Sequence, residues 1–559
     1  MYHGLHDRDY SQDIEWDSTR DWTSSHQVYD DDTFTCRFAK QQWNFLYQDY
    51  NHNRNTLDES SMQLPTLNTE QQRAVDVWTT LFSETISDQA LTNMRHIKNA
   101  MIINGVAGTG KSLTIREMAN QALSLPHNQG KKVLIMAPTG KAALGCGGVT
   151  LHSKEGIMLP LVGGRGRNSA QLLRNASLDD LRMRFRSTCA VIIDEYSMIS
   201  LIDLSWINSR LHQAFDNKKP FGGIPIVFVG DPGQISPVGG LSVWCTKTSK
   251  GHALQDKRLQ GSMLYQGIKN VVHLTQVRRQ ADPIFLEFLM SLRDGKINEG
   301  EWRWLNDNCS LENYRRRGEA HRFENENCIK IFNSNKEVFE ENVRSLRSIG
   351  EPINKLVAKH DCNASKTRPE DKCESLPSTL YLSINSKIML LRNLCSSVGL
   401  VNGAFGVVKD FLYGESTHLP DYIIIEFSNY TGLPLFPRAE QMKWVPIPKS
   451  ICKWGNNQEH FRESFPICLS YSLTVWKSQG MTITDAVMVN LGNTERDHGC
   501  SYVALSRVTS VTNLCIGPGV TLERLTTAIS KGKKLKDRLI EDERLKRLCD
   551  ETTRRAISH

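Results

Sequence analysis

The sequence predicts an α/β protein with a parallel β-sheet, and three observations support that prediction. A glycine-rich turn at residues 105–112 lies between an apolar run and a helical pattern. Short apolar runs alternate with helical patterns from Leu67 to about Pro237. A second series of the same kind begins near Val271. Strands that alternate with helices are typical of parallel sheets, because each helical crossover returns the chain to the same edge.

The bulk composition is typical of a soluble globular protein with several domains. The chain has 559 residues, of which 39% are hydrophobic and 23% charged, and this length exceeds that of one ordinary domain. The fourteen cysteines include no Cys-x-x-Cys pair, so we expect reduced thiols rather than zinc ligands or disulfides.

No targeting or membrane segment is recognisable. No apolar stretch approaches the roughly 18 residues that a membrane span needs. Residues 1–30 are acidic and polar, unlike a signal or transit peptide. We therefore expect an intracellular protein without a membrane partner, located in the nucleus if the host is eukaryotic or viral.

Charge is distributed unevenly along the chain. Residues 1–66 carry twelve Asp/Glu and five Lys/Arg, a balance of −7, so a net charge of +7 leaves +14 for the remainder. A basic body suits a polyanionic partner such as nucleic acid. Residues 1–66 have no clear period and are predicted to be an acidic, irregular or partly disordered extension.

The predicted elements divide the rest of the chain into three parts. The predicted strands are 100–104, 133–137, 189–193 and 224–229, followed by 328–332, 465–471 and 485–491, with helices at about 282–293 and 335–347. Residues 379–430 change to short β-rich runs with turn glycines, which indicates an inserted small barrel. We expect a first α/β domain over 67–265, a second over 266–520 that contains the barrel, and a charged helical tail over 521–559.

The run GVAGTGKS at 105–112 predicts a phosphate-binding loop. The strand-like AMII before it and the helical LTIREM after it complete the arrangement of strand, glycine-rich turn and helix N-terminus, whose backbone N–H groups converge on an anion. Lys111 is expected to reach the β- and γ-phosphates, and the Ser112 hydroxyl to hold Mg²⁺. The residues predicted to bind the nucleoside triphosphate here are Gly105, Val106, Ala107, Gly108, Thr109, Gly110, Lys111 and Ser112.

Three polar residues complete a hydrolytic site on the same domain. Asp194 and Glu195 end a predicted strand, where Asp194 is expected to hold Mg²⁺ and Glu195 to orient and deprotonate the attacking water. Gln234 follows the next strand, in GDPGQISPV, and is expected to contact the γ-phosphate. Upstream, the Gln71 amide in LNTEQQRAV is suited to hydrogen-bond the adenine edge.

Two arginines in the second half are candidates for arginine fingers. Arg279 lies in LTQVRRQ, just after a predicted strand, and Arg507 lies in YVALSRV. Such arginines stabilise the charge on a transferring phosphoryl group.

Taken in order, these elements resemble the Pif-type (petite integration frequency) DNA helicases of superfamily 1B over about residues 67–520. Further segments that carry the resemblance are APTGKAAL (137–144), GGVTLHS (147–153), DEYSM (194–198), PFGGIPIVFVGD (220–231), INSKIMLLRN (384–393), GLVNGAFGVV (399–408), LTVWKSQGMTI (473–483) and YVALSRV (502–508). Three departures are visible. Trp476 replaces a usual His and either packs or stacks on a base, Pro232-Gly233 is shared with RecD-like relatives, and Asn385 replaces a glycine, which a left-handed turn would allow.

The resemblance implies two tandem RecA-like cores facing each other across ATP and Mg²⁺, with an SH3-like barrel at about 379–430. Lys111, Asp194, Glu195 and Gln234 would belong to one core, and Arg279 and Arg507 to the other, with Gly480 also at the nucleotide. Single-stranded DNA would lie across both cores. The residues expected to contact it are Thr139, Gly140, Thr150, His152 and Ser153 on the first core, and Lys477, Ser478 and Gln479 on the second.

The leading hypothesis is therefore an ATP-dependent helicase that moves 5′ to 3′ on single-stranded and forked DNA in replication, repair or recombination, including telomere maintenance. We expect it to act as a monomer. Two alternatives stay open at this point: a RecD-like or RNA-directed translocase on the same cores, and a non-catalytic P-loop module that binds DNA.

Overall fold

The computed structural model describes most of the chain in segments separated by gaps. The described residues are 14–22, 39–46, 66–86, 96–125, 128, 130–153, 156–159, 172–245, 255–280, 282–325, 327–395, 398–414, 419–436, 438–455, 459–517, 520–530 and 533–557. They form a mixed α/β protein, which confirms the predicted fold class. Two compact units are distinguished. The larger contains the described parts of 62–333 and 475–559, and the smaller contains those of 1–61 and 334–474.

The secondary structure of the described residues has the following bounds. The strands are β1 (Ile97–Gly105), β2 (Lys132–Ala137), β3 (Val149–Thr150), β4 (Thr188–Ile193), β5 (Ile226–Gly230), β6 (Ile268–Leu274), β7 (Ile329–Phe332), β8 (Asn354–Val357), β9 (Lys359–His360), β10 (Thr379–Leu382), β11 (Lys387–Leu390), β12 (Phe405–Leu412), β13 (Tyr422–Glu426), β14 (Trp444–Pro448), β15 (Ser450–Trp454), β16 (His460–Ser464), β17 (Ile467–Leu469), β18 (Ser472–Thr474), β19 (Val487–Asn490) and β20 (Leu514–Ile516). The labelled α-helices are α1 (Thr69–Ile86), α2 (Lys111–Ser124), α3 (Gly140–Gly145), α4 (Ala176–Phe185), α5 (Leu201–Phe215), α6 (Gln255–Gly267), α7 (Pro283–Asp294), α8 (Glu299–Cys309), α9 (Leu311–Arg316), α10 (His321–Glu324), α11 (Asn335–Ser348), α12 (Asn363–Lys366), α13 (Val475–Ser478), α14 (Cys500–Leu505), α15 (Leu522–Ser530) and α16 (Lys533–Ile557). Within this described part, no helix is both long and apolar enough to cross a membrane.

The larger unit contains a six-stranded parallel sheet in the order β3–β2–β4–β5–β1–β6. Of the interior strands, β1, β4 and β5 are mostly apolar and almost completely buried, as expected for strands covered on both faces. Because parallel strands end at the same edge, the segments that follow β1, β4, β5 and β6 converge there. This edge carries the candidate site.

The position of β6 differs from the predicted domain division. The sequence assigns the strand near Val271 to the second domain, with a boundary after residue 265. In the structure β6 pairs in parallel with β1, with Val272 opposite Ile103, and Asn270 Nδ2 donates to Ala100 O, 170 residues away. β6 is therefore the edge strand of the first sheet, a non-local pairing that a local pattern does not reveal.

A second parallel arrangement lies in the same unit, where β7 and β20 flank β19. The predicted strands 328–332 and 485–491 correspond to β7 and β19. Arg524 of α15 is buried, donates to Leu491 O at 3.1 Å and pairs with Glu495 Oε2 at 2.8 Å. These contacts fix the segment that follows β19.

Helix α16 covers β6, whereas the sequence suggested only a charged helical tail. Leu545 is fully buried in the core beneath the helix. The Tyr265 hydroxyl donates to Glu541 Oε1 at 2.9 Å, and Thr552 Oγ1 accepts from Val271 N at 3.1 Å. The helix thus occupies the open side of an edge strand and forms part of the larger unit.

The smaller unit consists mainly of antiparallel strands. Five of them pair in the order β14–β13–β12–β11–β17, and separate sheets join β15–β16–β9 and β10–β8. The main sheet extends to Ile467–Leu469, beyond the predicted limit of the insertion at residue 430, and its closure into an SH3-like barrel stays a prediction. Asn385 has φ +65°, which confirms the left-handed turn expected there.

Two short segments of the predicted N-terminal extension are described, and both pack on the smaller unit. Asp17 N donates to Ile353 O at 3.1 Å, and the Trp22 ring lies 5.7 Å from that of Phe411 in an edge-to-face arrangement. Residues 39–46 are helical, with Leu46 buried in the core. The rest of the extension lies outside the described residues.

Candidate nucleotide-binding site

A cleft of about 630 Å³ opens at the carboxyl edge of the six-stranded sheet. It brings together all five residues predicted to be catalytic, as well as both predicted magnesium ligands, and all of them belong to the larger unit. The cleft is lined by Ala107, Gly108, Gly110, Lys111, Ser112, Lys141, Ala142, Gly145, Asp194, Glu195, Gln234, Arg279, Gly480 and Arg507.

The phosphate loop joins the end of β1 to the start of α2, as predicted. Gly108 and Gly110 have φ of +86° and +79°, a conformation that costs other L-residues free energy. A Cβ on Gly108 would lie 2.5 Å from Arg279 Cβ, and one on Gly110 would lie 2.4 Å from Gln71 Nε2. Both backbone conformation and space therefore require glycine at these positions.

The side chains of the loop fold against its own backbone. Lys111 Nζ donates to Gly105 O at 2.8 Å and Val106 O at 3.1 Å, which holds the ammonium group at the loop. Thr109 is buried and its hydroxyl donates to Val106 O at 3.0 Å. Ser112 is half-buried in the first turn of α2, where its hydroxyl lines the cleft.

Asp194 and Glu195 follow β4 and are both buried. Asp194 Oδ1 accepts from Glu195 N at 2.9 Å. Burial and the neighbouring Glu195 raise the pKa of Asp194 to about 7, although Lys111 acts in the opposite direction. Glu195 has φ +54° and ψ +47°, a left-handed conformation that is rare for glutamate and is often found at functional sites.

The donor set at this edge fits a magnesium–triphosphate complex. Glu195 Oε2 is buried and has no hydrogen-bond partner among the described residues, and Glu195 lines the cleft, so this oxygen is available to a group bound there. The Ser112 hydroxyl and the Asp194 carboxylate are oxygen ligands of the kind that Mg²⁺ prefers. Beside them, the backbone of the phosphate loop offers N–H groups for phosphate oxygens.

Gln234 lies in the loop after β5 and is almost completely buried. Its Oε1 accepts from Gln479 Nε2 at 3.4 Å, and its side chain lines the cleft with Glu195 and both arginines. The position agrees with the predicted contact to a γ-phosphate, which stays a prediction.

Arg279 is held at the cleft by the backbone of the phosphate loop. Arg278 N and Arg279 N donate to Gly108 O at 2.8 and 3.3 Å. Because this segment follows β6, Arg279 extends from the same sheet as the phosphate loop, so the prediction that it belongs to the opposite core is wrong. Burial lowers the pKa of the Arg279 guanidinium.

Arg507 reaches the cleft from the segment after α14. Its guanidinium donates to Val503 O at 2.7 Å, Met481 O at 3.2 Å and Ser506 Oγ at 2.9 Å. Burial and the positive charge of Arg279 lower its pKa to about 10. Arg279 and Arg507 therefore line the same cleft, although they come from different segments of the chain.

Comparison with known proteins agrees with this arrangement. Residues 68–303 match the family model described as PIF1-like helicase, and residues 372–411 match the model of the DNA helicase Pif1 2B domain. These two segments are therefore similar to PIF1-like helicases. The predicted resemblance is thereby confirmed, and of the catalytic candidates only Arg507 lies outside that match.

Curated relatives extend the PIF1-like match to about three quarters of the chain. ATP-dependent DNA helicase PIF1 of Mus musculus is 28% identical over 418 residues, which is 74% of this chain and 57% of the relative. ATP-dependent DNA helicase Pif1 of Bdellovibrio bacteriovorus is 28% identical over 430 residues, 76% of this chain and 85% of the relative. The chain thus spans little more than half the length of the vertebrate relatives.

Solved structures of PIF1-like proteins have the same fold. The Pif1 helicase of Candida albicans aligns with a TM-score of 0.61 at 22% identity and covers 86% of this chain and 99% of its own. Bacteroides Pif1 bound to single-stranded DNA aligns with a TM-score of 0.60 at 22% identity, and the alignment covers 85% of this chain and 96% of the Bacteroides chain. At this identity the likeness concerns the fold.

Gln71 occupies a different place from the one predicted for it. The side chain is fully buried beneath the phosphate loop. Its Nε2 donates to Thr109 O at 3.1 Å, and its Oε1 accepts from Asn68 N at 2.9 Å. The amide therefore supports the loop from below, and the predicted contact with adenine is not supported because no part of the side chain is exposed.

The predicted DNA contacts on the PIF1-like region are arranged around α3 and β3. Thr139 caps α3 by accepting from Ala142 N at 3.3 Å. His152 Nδ1 lies 3.1 Å from Leu159 O, and the Ser153 hydroxyl donates to Thr150 O at 2.9 Å. Gly140 is buried, whereas Thr139, Thr150, His152 and Ser153 are half-buried. Their contact with DNA stays a prediction.

The predicted DNA contacts around α13 divide into two groups. Lys477 is exposed. Ser478 is fully buried and donates to Val475 O at 2.8 Å, while Gln479 is buried against Gln234. This burial does not favour side-chain contact between DNA and these last two residues, and their contact with DNA stays a prediction. Trp476 is half-buried.

Two residues that interact at this edge, Lys141 and Tyr502, were not identified from the sequence. Lys141 lines the cleft, and burial together with Arg507 lowers its pKa to about 8. Tyr502 is buried, and its hydroxyl accepts from Ala107 N of the phosphate loop at 3.2 Å. Lys141 lies in APTGKAAL and Tyr502 in YVALSRV, two segments that carry the family resemblance, so the signal for both residues was present in the sequence.

A second group of potential metal ligands lies in the smaller unit. Donor atoms of Asp361, Cys362 and His460 lie within 4.8 Å of one another. His460 Nδ1 is 2.8 Å from Asp361 Oδ2, and Ser365 Oγ and Phe461 N donate to Oδ1 at 2.7 and 2.9 Å. These hydrogen bonds join the segment after β9 to β16 and already satisfy the carboxylate.

Proposed function

We propose that this chain is an ATP-dependent DNA helicase that moves 5′ to 3′ along single-stranded DNA and unwinds forked duplexes in replication, repair or recombination. The observation that carries the proposal is one cleft containing Lys111, the Asp194–Glu195 pair, Gln234 and two arginines. The curated relatives are named ATP-dependent DNA helicases, and a solved neighbour is bound to single-stranded DNA. The direction of movement rests on the family likeness alone.

The residues of the cleft divide the chemistry of ATP hydrolysis among them. The N–H groups of the phosphate loop and the Lys111 ammonium bind the β- and γ-phosphates. Ser112 and Asp194 would hold Mg²⁺, which when bound neutralises charge on phosphate oxygens. Glu195 Oε2 accepts a proton from the attacking water, since it is buried and lacks another partner.

The remaining groups act on the transition state. Arg279 and Arg507 stabilise the charge that develops on the phosphoryl oxygens, a contribution worth about 10³–10⁵-fold in rate for arginine fingers. Gln234 contacts the γ-phosphate and distinguishes ATP from ADP. Hydroxyls and backbone groups near α3, together with Lys477, hold the phosphates of a DNA strand without reading its sequence.

Strand displacement with the purified full chain tests this function. Duplexes with a 5′ or a 3′ single-stranded tail are offered as DNA and as RNA, with ATP and Mg²⁺. Unwinding of the 5′-tailed DNA, lost in Lys111→Ala and retained in Lys98→Ala, supports the proposal; Lys98 is an exposed lysine on the same strand β1.

Each other outcome of that assay contradicts part of the proposal. Unwinding only of RNA indicates the RNA-directed alternative, and unwinding of 3′-tailed DNA reverses the direction. DNA binding without ATP hydrolysis indicates the non-catalytic P-loop module. For a eukaryotic or viral host we propose that the protein is located in the nucleus, which a fluorescent fusion tests directly.

A further inference from the structure

A continuous series of buried and part-buried hydrogen bonds leads from the phosphate loop to the C-terminal helix α16. It begins where Ala107 N donates to the Tyr502 hydroxyl at 3.2 Å. That hydroxyl in turn donates to Asp231 Oδ2 at 3.3 Å. Asp231 is fully buried in the loop after β5, three residues before Gln234. The phosphate loop and the loop that carries Gln234 are therefore joined through one side chain.

Arg293 of α7 fixes the other oxygen of the same carboxylate. Asp231 Oδ1 accepts from Arg293 Nε at 3.1 Å and Nη2 at 2.8 Å, and from Gly233 N at 2.9 Å. A Cβ on Gly233 would lie 2.3 Å from Arg293 Nε, so the loop backbone lies directly on the guanidinium. A displacement of Arg293 would consequently displace the residue next to Gln234.

Helix α16 determines where Arg293 lies. Arg293 Nη1 donates to Asp542 Oδ2 at 2.9 Å. Arg538, also on α16 and fully buried, pairs with Asp542 and donates to Asp294 Oδ1 at 3.0 Å. We call Asp231, Arg293, Asp294, Arg538 and Asp542 the ionic cluster.

The ionic cluster contains three carboxylates and two guanidinium groups: Arg293 pairs with all three acids, and Arg538 pairs with Asp294 and Asp542. Asp231, Arg293 and Arg538 are buried, whereas Asp294 and Asp542 are half-buried. Removing one partner of a buried charge leaves that charge uncompensated, so the positions of the buried members depend on their partners. Burial lowers the pKa of Arg293, but Asp231 and Asp542 outweigh it and hold the pKa well above its usual range. The Arg293 guanidinium therefore stays charged at working pH.

We propose that α16 positions the nucleotide-sensing loop through the ionic cluster, and that Asp542 is a positioning residue for ATP hydrolysis. The inference rests on the proposed function. Asp542 does not line the cleft, so it acts through other residues. It holds Arg293, and Arg293 holds Asp231. Asp231 in turn contacts Tyr502 and the backbone just before Gln234. Loss of the Asp542 carboxylate should misplace Gln234 and Tyr502 while leaving Lys111 and its loop contacts in place.

The test compares Asp542→Asn with Glu543→Gln in the full chain. Both changes remove one carboxylate from α16 without changing its shape, but Glu543 is exposed and outside the ionic cluster. We expect Asp542→Asn to lower the kcat of DNA-stimulated ATP hydrolysis by about 10-fold, the scale of a small misplacement of catalytic groups, with KM for ATP within about twofold of wild type. Glu543→Gln should retain both constants.

A double-mutant cycle separates positioning from general loosening. Tyr502→Phe removes the hydroxyl that receives the effect. If Asp542 acts through Tyr502, Asp542→Asn combined with Tyr502→Phe should lower kcat less than the product of the two single effects, because coupled sites are non-additive. If the double variant instead lowers kcat by the product of the two single effects, the proposed route from Asp542 through Tyr502 is overturned.

Two further outcomes are decisive. If the wild type hydrolyses no ATP with DNA present, the proposed function fails; if it does and Asp542→Asn has the constants of Glu543→Gln, only the inference fails. Should Asp542→Asn be unfolded at the assay temperature, Asp542→Glu replaces it, since it keeps the charge but shifts the carboxylate by one carbon. An intermediate loss of kcat at constant KM is then expected, and a wild-type kcat would overturn the inference.

Discussion

Arg293 directs two nitrogens, Nε and Nη2, to a single oxygen of Asp231, at 3.1 and 2.8 Å, in a site where the aspartate is fully buried. This pair ties α7 to the loop after β5. Burial raises the pKa of Asp231, but the Arg293 guanidinium outweighs burial and brings the pKa below its ordinary value. The carboxylate is therefore charged, and Arg293 is the main source of its compensation, with further hydrogen bonds from Gly233 N and the Tyr502 hydroxyl.

Removal of Arg293 should strongly destabilise the larger unit. Arg293→Ala leaves Asp231 and Asp542 without their shared cation, and breaking a buried ion pair costs about 3–5 kcal/mol in the free energy of unfolding. Urea denaturation followed by circular dichroism measures the change. Arg303→Ala is the control, because the Arg303–Glu299 pair is exposed and should contribute about 0–1 kcal/mol. Equal effects of the two changes would contradict the ion pair's structural role.

Glu195→Gln should bind ATP and fail to hydrolyse it. The amide keeps the size of the side chain but cannot accept the proton of the attacking water, a role worth about 10²–10⁴-fold in rate. Fluorescent ATP binding and phosphate release, measured on the same preparation, separate the two steps. A variant that retains more than a tenth of the wild-type rate would exclude Glu195 as the general base.

Arg279→Ala and Arg507→Ala should each reduce kcat far more than they weaken ATP binding. Both guanidinium groups line the cleft, where they would face the transferring phosphoryl group. Arg278→Ala is the matched control: Arg278 is the exposed neighbour, and its backbone N–H to Gly108 survives the substitution. If rate and affinity fell in equal proportion, the arginines would be binding residues rather than fingers.

Gly108→Ala should weaken ATP binding by more than tenfold, since the added methyl would meet Arg279 Cβ at 2.5 Å in a backbone conformation with φ +86°. Gly130→Ala provides the comparison. Gly130 also has positive φ (+73°), but a Cβ there would meet nothing within 4 Å. Equilibrium titration with a fluorescent ATP analogue measures both. Similar losses in the two variants would attribute the effect to backbone strain alone.

ATP affinity should increase as the pH falls from 9 to 7. The Lys141 pKa is lowered to about 8, first by burial and then by Arg507, so the side chain is mostly neutral at pH 9 and mostly cationic at pH 7. A cation in the cleft favours the triphosphate, and its contribution is lost as the pH rises through 8. Lys141→Met should flatten the dependence of Kd on pH, whereas Lys131→Met, at an exposed lysine before β2, should retain it.

Local features were predicted well because their signals are contiguous in the chain. The phosphate loop, the Asp194–Glu195 pair after an apolar strand and the left-handed Asn385 depend on neighbouring residues and on the edge geometry of parallel sheets. All five catalytic candidates accordingly line one cleft. Position in or after a predicted strand and loop identified Lys111, Glu195 and Gln234, whereas the two arginines were identified from the order of the motifs along the chain.

Non-local features could not be read in the same way. The side of the cleft from which Arg279 extends depends on the pairing of β6 with β1, and the burial of Gln71 depends on its packing under Gly110. Ser478 faces inward because α13 is one turn long between buried residues. The charged pattern of α16 predicted a helix correctly, but its charges serve interior pairs with α7, which sequence periodicity cannot distinguish from a solvated face.

At Glu195 the left-handed backbone conformation lowers the stability of the folded protein, while the glutamate side chain is needed for activity. Glycine adopts φ +54° without strain, and asparagine does so more readily than glutamate, by roughly 1 kcal/mol. A Glu195→Gly protein should therefore be more resistant to heat and also inactive. Selection for thermal resistance alone would remove the glutamate, so any programme that evolves this chain for robustness needs hydrolysis as a simultaneous requirement.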